Sequence, residues 1–188
     1  MGELGWGIKG CAGIQRQNIG PGTGYDTRRM GNPDQEQSEL LIDANVILEF
    51  LLARQRQDES LSLLKLTSTG DVTAWVMSYA VHSIEYMLYR EGDLTALRNF
   101  LQLLRSSLGL MVYDSTPPED LAALDFTKKA DAAFGLDFDD ALHYATAKKH
   151  DLTLVSFDQD FDRTDLVRMT PSDILSHYGN QDSANLLS

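Results

Sequence analysis

Residues 40–48, Leu40-Leu41-Ile42-Asp43-Ala44-Asn45-Val46-Ile47-Leu48, decide the fold class of this chain. An apolar run meets an aspartate, a small residue and an asparagine, and then a second apolar run follows. The first run has the length of a buried strand, and the second continues into a helical pattern. Ligands of parallel α/β sheets bind outside the carboxyl ends of the strands, which is where Asp43 is predicted to lie. The stretch therefore predicts a strand, a turn that carries an acid, and a helix.

Strands and helices alternate along the rest of the chain. Apolar, β-branched segments predict strands at 40–42, 72–78, 110–113, 152–156 and 167–169, with helical patterns between them and after the last one. Such alternation is typical of a parallel sheet whose two faces are both covered by helices. We therefore expect an α/β fold with a central parallel sheet of four to five strands.

The two ends of the chain differ from its middle. Residues 1–38 contain nine of the 14 glycines and show no periodicity, so we expect a disordered extension or an artefact of an upstream translation start. Residues 39–176 carry the alternating pattern and are predicted to form one domain. Residues 177–188 are polar and are expected to form a flexible tail.

Cysteine content and hydropathy exclude several classes of protein. The single cysteine cannot form an internal disulfide, and no Cys/His spacing resembles a zinc site. No apolar stretch approaches the roughly 20 residues that span a bilayer, and no signal peptide is evident. We expect a cytoplasmic protein with no membrane partner.

The charge of the chain is strongly acidic and unevenly placed. It has 28 Asp+Glu against 16 Lys+Arg, a net charge of -12. Residues 1–38 are balanced, with four acidic and four basic residues, so the whole excess lies in residues 39–188. This composition excludes a broad basic face that binds nucleic acid through its phosphates. Phosphate binding through metal ions held by carboxylates stays open, with help from a few cations such as Arg163 and Arg168.

Several acids stand at the ends of predicted elements. Asp43 follows the first strand, Asp158 follows the fourth, Glu85 lies on the helix after the second, and Asp140 opens the helix at 137–149. Carboxylates held close together repel one another unless a cation neutralises them. Oxygen ligands favour hard cations such as Mg²⁺ or Mn²⁺. Two of these acids also have a simpler interpretation. Asp140 could cap its helix, and Glu85 could lie on a helix surface.

Four motifs in this order resemble those of PIN domains, the nuclease fold of VapC-type toxins. The resemblance covers about residues 40–176. The matching segments are Leu41-Ile42-Asp43-Ala44-Asn45-Val46-Ile47-Leu48, Ser78 to Glu85, Leu136-Asp137-Phe138-Asp139-Asp140-Ala141 with Ala145 and Ala147, and Leu154-Val155-Ser156-Phe157-Asp158-Gln159-Asp160-Phe161.

The resemblance implies a three-layer α/β/α sandwich and a role for each residue of the motifs. Its catalytic and metal-binding acids would be Asp43, Glu85, Asp140 and Asp158. Asn45 would orient Asp43, and Ser156 would offer a hydroxyl near the metal or the phosphate. Asp139 competes with Asp140 for one role, and Asp160 is a further acid that would lie near the site.

The implied activity is that of an Mg²⁺- or Mn²⁺-dependent endoribonuclease, the toxin of a type II toxin–antitoxin system. Its partners would be RNA, an antitoxin protein and a second copy of the chain. Two alternatives stay open. One is a catalytically degenerate domain that binds RNA or protein, and the other is a haloacid-dehalogenase-like phosphatase, in which Asn45 would occupy the position of a general acid that it cannot replace.

Overall fold

The structure is a computed structural model that describes residues 39–70, 72–105, 110–127 and 134–185. The predicted N-terminal extension, residues 1–38, lies outside the described residues. In chain order the described elements are β1 (Leu40–Ile42), α1 (Ala44–Leu51), α2 (Gln57–Thr69), β2 (Ala74–Met77), α3 (Ser78–Arg90), α4 (Leu94–Arg105), β3 (Leu110–Tyr113), α5 (Pro117–Leu124), α6 (Phe138–His150), β4 (Thr153–Val155), a 3-10 helix (Gln159–Arg163), β5 (Arg168–Met169) and α7 (Pro171–Asn185).

The strands form one parallel sheet in the order β3-β2-β1-β4-β5. β1 lies at the centre, where Leu41 pairs with Trp75 of β2 and with Leu154 of β4. All three residues of β1 are fully buried, as expected for a strand covered on both faces. The fold is a three-layer α/β/α sandwich, and the predicted parallel sheet is confirmed with five strands in the described residues.

The helices pack on the sheet through apolar stripes at helical spacing. α3 buries Ala80, Ile84 and Leu88 completely or almost completely. α6 is buried along Ala141–Ala147, and its alanines allow close approach to the strands. This packing directs the amino-terminal ends of α1 and α6 toward the carboxyl ends of β1 and β4.

Local signals define where the helices begin and end. Asp43 caps α1, and Asp137 caps α6 by accepting a hydrogen bond from the Asp140 N–H at 3.0 Å. Gly70 ends α2 in the left-handed conformation, with φ of 82°. α7 continues to Asn185, so the backbone is helical over most of the predicted tail, 177–188, whose flexibility stays a prediction. Among the described helices, none is both long and apolar enough to cross a membrane.

Candidate metal centre

One pocket collects most of the acids that the sequence singled out. It has a volume of about 260 Å³ and opens where α1, α3 and α6 begin. Its lining residues are Asp43, Ala44, Asn45, Leu48, Arg54, Tyr79, Ala80, Ser83, Asp137, Asp139, Asp140, His143 and Asp158.

Asp43 is held by a network that ties β1 to β4. Its Oδ2 accepts hydrogen bonds from Asn45 Nδ2 and from Ser156 Oγ, both at 2.7 Å, and its backbone N–H donates to the Val155 carbonyl at 3.0 Å. Asn45 Nδ2 also donates to Ser156 Oγ at 3.0 Å. Asp43 is only 8% exposed. Its carboxylate is therefore fixed in direction, and among the described contacts Oδ1 accepts a single long bond of 3.5 Å, from the Asn45 N–H.

The segment after β4 forms the opposite wall of the pocket. The Asp158 N–H donates to Ser156 Oγ at 2.9 Å, and Asp158 Oδ1 accepts from the Asp160 N–H at 2.8 Å. Asp158 thereby caps the 3-10 helix that follows. One carboxylate oxygen of Asp158 is engaged locally, and its other oxygen accepts no described hydrogen bond.

The first turn of α6 adds two more carboxylates. Burial, together with the charges of Asp137, Asp158, Asp43 and Asp160, raises the pKa of Asp140 to about 7. Burial and the neighbouring charge of Asp137 also raise the pKa of Asp139. The carboxylates of the pocket therefore repel one another across it.

These donors fit a hard divalent cation by their chemistry. Mg²⁺ and Mn²⁺ take oxygen ligands, which Asp43, Asp140 and Asp158 offer. A cation would relieve the repulsion that, after burial, raises the pKa of Asp140. Within the ranges that the structure describes, no three His, Cys, Asp or Glu side chains are drawn together as closely as in a metal site. The carboxylates thus line one pocket without meeting at one point.

The structure brings together most, but not all, of the predicted site residues. Asp43, Asn45, Asp139, Asp140 and Asp158 line the pocket. Ser156 is fully buried and contacts Asp43. Asp160 is not one of the lining residues, and its carboxylate pairs with Arg163 at 2.7 Å.

Glu85 does not line the pocket. Its Oε2 lies 3.4 Å from His82 Nδ1, and its side chain is 34% exposed. α3 instead presents Tyr79, Ala80 and Ser83 to the pocket. Ser83 and Glu85 are separated by about 200° around the helix, since successive residues turn by about 100°. The helix phase therefore places a hydroxyl where the sequence interpretation expected a carboxylate.

Tyr79 and His143 are pocket residues that the motifs did not reveal. The Tyr79 hydroxyl lies 2.8 Å from the Asp139 carbonyl and 2.5 Å from His143 Nδ1. His143 is only 3% exposed, and no hydrogen-bond partner of its Nε2 lies among the described residues. Burial, followed by the charges of Asp139 and Asp43, raises the pKa of Tyr79, so its hydroxyl keeps its proton. The signal in the sequence was the helical spacing of His143 from Asp140, which favours a packing or hydrogen-bonding role for this histidine.

The two arginines suggested for contact with phosphates, Arg163 and Arg168, both pair with carboxylates. Arg168 forms two hydrogen bonds with the Asp162 carboxylate, at 2.8 and 3.1 Å, and Arg163 pairs with Asp160. Arg54 is the cation that lines the pocket.

Comparison with known proteins identifies the family. The PIN domain family model matches residues 40–167, and the chain belongs to this family. None of the curated proteins matches the sequence significantly.

Solved structures share the fold at low sequence identity. Similar structures include the VapC20 toxin of Mycobacterium tuberculosis, which cleaves the sarcin-ricin loop, with 17% identity and a TM-score of 0.57 over 70% of this chain and 99% of that one. VapBC2 of Rickettsia felis, bound to a promoter DNA fragment, matches with 16% identity and a TM-score of 0.56 over 70% and 98%. A toxin–antitoxin complex from Klebsiella pneumoniae matches with 16% identity and a TM-score of 0.51 over 70% and 97%. At these identities the likeness shows a shared fold and nothing more.

Proposed function

We propose that this protein is a metal-dependent endoribonuclease that hydrolyses phosphodiester bonds in RNA. The observation that carries the proposal is the pocket in which Asp43, Asp139, Asp140 and Asp158 face one another at the carboxyl edge of a parallel sheet. Membership of the PIN domain family supports the same activity. Such a set of oxygen donors suits a cation that in turn recruits the phosphate of a substrate.

Mg²⁺ or Mn²⁺ would be held by Asp43, Asp140 and Asp158, with Asp139 beside them. When bound, the cation would supply a water of lowered pKa and a positive charge for the transition state. Asn45 and Ser156 hold the Asp43 carboxylate in one orientation, so that no reorganisation is needed when the substrate arrives. Tyr79 and His143 contact the backbone carbonyl of Asp139 and so hold the first turn of α6 in place. Glu85 has no part in this assignment, because it does not line the pocket.

The activity is tested by incubating the purified protein with total RNA in Mg²⁺, in Mn²⁺ and in chelator. We expect cleavage with either metal and none with chelator, and loss of cleavage in Asp43→Asn and Asp140→Asn. Glu85→Gln is the matched control, because it removes a carboxylate outside the pocket and should leave cleavage unchanged. Cleavage that survives both pocket substitutions would overturn the site. RNA that stays intact with the wild-type protein under every condition would favour the degenerate binding module.

We also propose that the protein acts as the toxin of a toxin–antitoxin pair. The support is the fold shared with toxins solved in such complexes and a set of exposed apolar side chains on α3 and α4, Tyr86, Tyr89, Leu94 and Leu101. Apolar surface of this kind typically meets a protein partner, which would be an antitoxin or a second copy. Light scattering of the purified chain tests the homodimer. Growth arrest on expression, relieved by co-expression of an adjacent reading frame, tests the toxin role.

A further inference from the structure

The turn between α1 and α2 brings one arginine into the lining of the acidic pocket and a second onto Phe157, next to the pocket residue Asp158. Arg54 lines the pocket. The guanidinium of Arg56 lies over the ring of Phe157, 4.6 Å from its centroid. Phe157 immediately precedes Asp158, and its backbone N–H donates to Asn45 Oδ1 at 3.2 Å. The arginine–phenylalanine pair is therefore built onto the same segment that carries the acids.

One left-handed residue and hydrogen bonds to Glu49 define the conformation of this turn. Ala53 adopts φ of 48°, a left-handed conformation that a residue with a side chain rarely takes. Glu49 holds the turn from inside, since its carbonyl accepts from the Arg54 N–H at 3.0 Å and its Oε2 accepts from the Arg56 N–H at 2.9 Å. The strained turn and its internal acceptor set the positions of both arginines.

The two arginines keep their charge available in a strongly acidic molecule. Arg54 Nη1 lies 4.0 Å from Glu49 Oε1, at the limit of an ion pair, and about half of the Arg54 side chain is exposed. The Arg56 guanidinium forms no ion pair with a carboxylate of the described residues. Arg163 and Arg168, by contrast, are paired closely with carboxylates. The turn thus offers positive charge where the pocket would receive a polyanion.

We propose that this turn binds single-stranded RNA beside the candidate metal centre. Arg54 would contact a backbone phosphate. Arg56 and Phe157 would form a platform on which a nucleobase stacks, because a planar guanidinium and an aromatic ring are the surfaces that proteins use to stack unpaired bases. The inference rests on the proposed function, since it names the contacts of the same RNA substrate.

The experiment measures binding, so that its failure can be told from a failure of the nuclease assignment. All variants are made in the Asp140→Asn background with Mg²⁺ present, which keeps the probe intact. Fluorescence anisotropy follows a labelled oligoadenylate and an abasic chain of the same length over a range of salt concentrations. The substitutions are Arg54→Gln, Arg56→Lys and Phe157→Leu, and the matched control is Arg98→Gln, an exposed arginine on α4.

Each contact has its own expected signature. Arg54→Gln should weaken binding of both probes. It should also reduce the slope of the logarithm of the binding constant against the logarithm of salt concentration by about 0.7, the value for one phosphate contact on a single strand. Arg56→Lys keeps the positive charge but removes the planar guanidinium. It should therefore weaken binding of the oligoadenylate about tenfold and leave binding of the abasic chain unchanged. Phe157→Leu should behave in the same way, and Arg98→Gln should change neither probe.

The opposite results would overturn the inference. The first is that the background protein binds neither probe. The second is that the three variants bind both probes as tightly as the background protein does. The third is that Arg98→Gln loses as much affinity as they do. Tighter binding of an acidic peptide than of either probe at the same turn would make it a protein-docking surface instead. If the wild-type protein does not cut RNA but the variants lose binding as stated, the proposed nuclease activity is wrong and the proposal that the turn binds RNA is supported.

Discussion

The Asp43 carboxylate is both an acceptor within the fold and a wall of the pocket. Its Oδ2 accepts from Asn45 Nδ2 and Ser156 Oγ, two donors on segments more than 100 residues apart in the chain. An asparagine in its place has one amide oxygen and an amide NH₂, so its NH₂ would face donors if the oxygen pointed into the pocket. The residue therefore couples the chemistry of the site to the stability of the sheet edge.

Ser156→Ala tests that coupling through stability. The substitution removes a fully buried hydroxyl that donates to Asp43 and accepts from Asn45 Nδ2 and the Asp158 N–H. We expect the free energy of unfolding to fall by about 1–3 kcal/mol, the cost of leaving buried polar groups unpaired. Urea denaturation measures it. Ser62→Ala, at an exposed helix position, is the control and should change stability by less than about 0.5 kcal/mol; equal effects of the two would contradict the role of the network.

Asp140 gives the metal-free protein a distinctive dependence on pH. Its pKa is about 7 in the folded state against an ordinary value of 3.8, so the folded state binds the proton more tightly than the unfolded one. The contribution of Asp140 therefore favours folding at acid pH and is lost as the pH rises through 7. Asp140→Asn should make the metal-free protein more stable than the wild type at pH 8, with little difference near pH 4. Melting curves in chelator across this range would contradict the prediction if the difference were independent of pH.

Among the elements, α3 decides how many carboxylates enter the site. Ile84 and Leu88 are fully buried and fix the rotation of the helix, so that Ser83 faces the pocket and Glu85 does not. The strands, and the position of Asp43 and Asp158 at one pocket, could be predicted because an acid directly after a buried strand lies at the carboxyl edge of the sheet, whereas the roles of these acids stay predictions. Glu85 could not, since one residue shifts a helical position by about 100° and the sequence alone does not fix the phase. Arg54 and Arg56 were missed because a turn without glycine gives no signal that it folds back over the site.

The phase of α3 can be tested by moving a carboxylate. Ser83→Asp should add a carboxylate to the pocket and lower the Mg²⁺ concentration that half-saturates binding, because ligand charge raises the affinity of oxygen sites. Glu85→Asp keeps the carboxylate outside the pocket and should leave that concentration unchanged. Isothermal titration calorimetry measures both. If Glu85→Asp changed the half-saturating Mg²⁺ concentration more than Ser83→Asp did, the result would contradict a rotation of α3 that directs Ser83 into the pocket.

A second pH effect arises where β3, α5 and α6 meet, remote from the pocket. Glu119 is only 3% exposed, and although burial disfavours its charge, hydrogen bonds from Thr116, Tyr113 and Lys149 outweigh burial and hold its pKa well below the usual 4.5. Its stabilising contribution is therefore complete above pH 4.5 and is lost as the pH falls below that value. Glu119→Gln should lower stability at pH 7 and flatten the decline below pH 4.5. Acid unfolding curves that coincide for the two proteins would contradict this role.

At the scale of the whole molecule, the net charge of -12 comes entirely from residues 39–188. Several of these carboxylates line one pocket. A ligand that binds the folded state alone raises its stability. We expect Mg²⁺ and Mn²⁺ to raise the melting temperature of the wild-type protein, and to do so much less in Asp43→Asn. NaCl at equal ionic strength is the control for general screening. A melting temperature that divalent ions do not change beyond this control would count against the metal centre.

The central position of β1 has a consequence for synthesis on the ribosome. β1 pairs with β2 and with β4, so the segment that carries Asp43 is complete early, whereas its second neighbour and Ser156 emerge more than 100 residues later. Non-local pairing of this kind is typical of folds that form late and slowly. A nascent chain that lacks β4 therefore has neither the hydroxyl that orients Asp43 nor the carboxylate of Asp158. The pocket as described, with Asp43 oriented and Asp158 in its wall, therefore exists only after the segment that follows β4 has been synthesised.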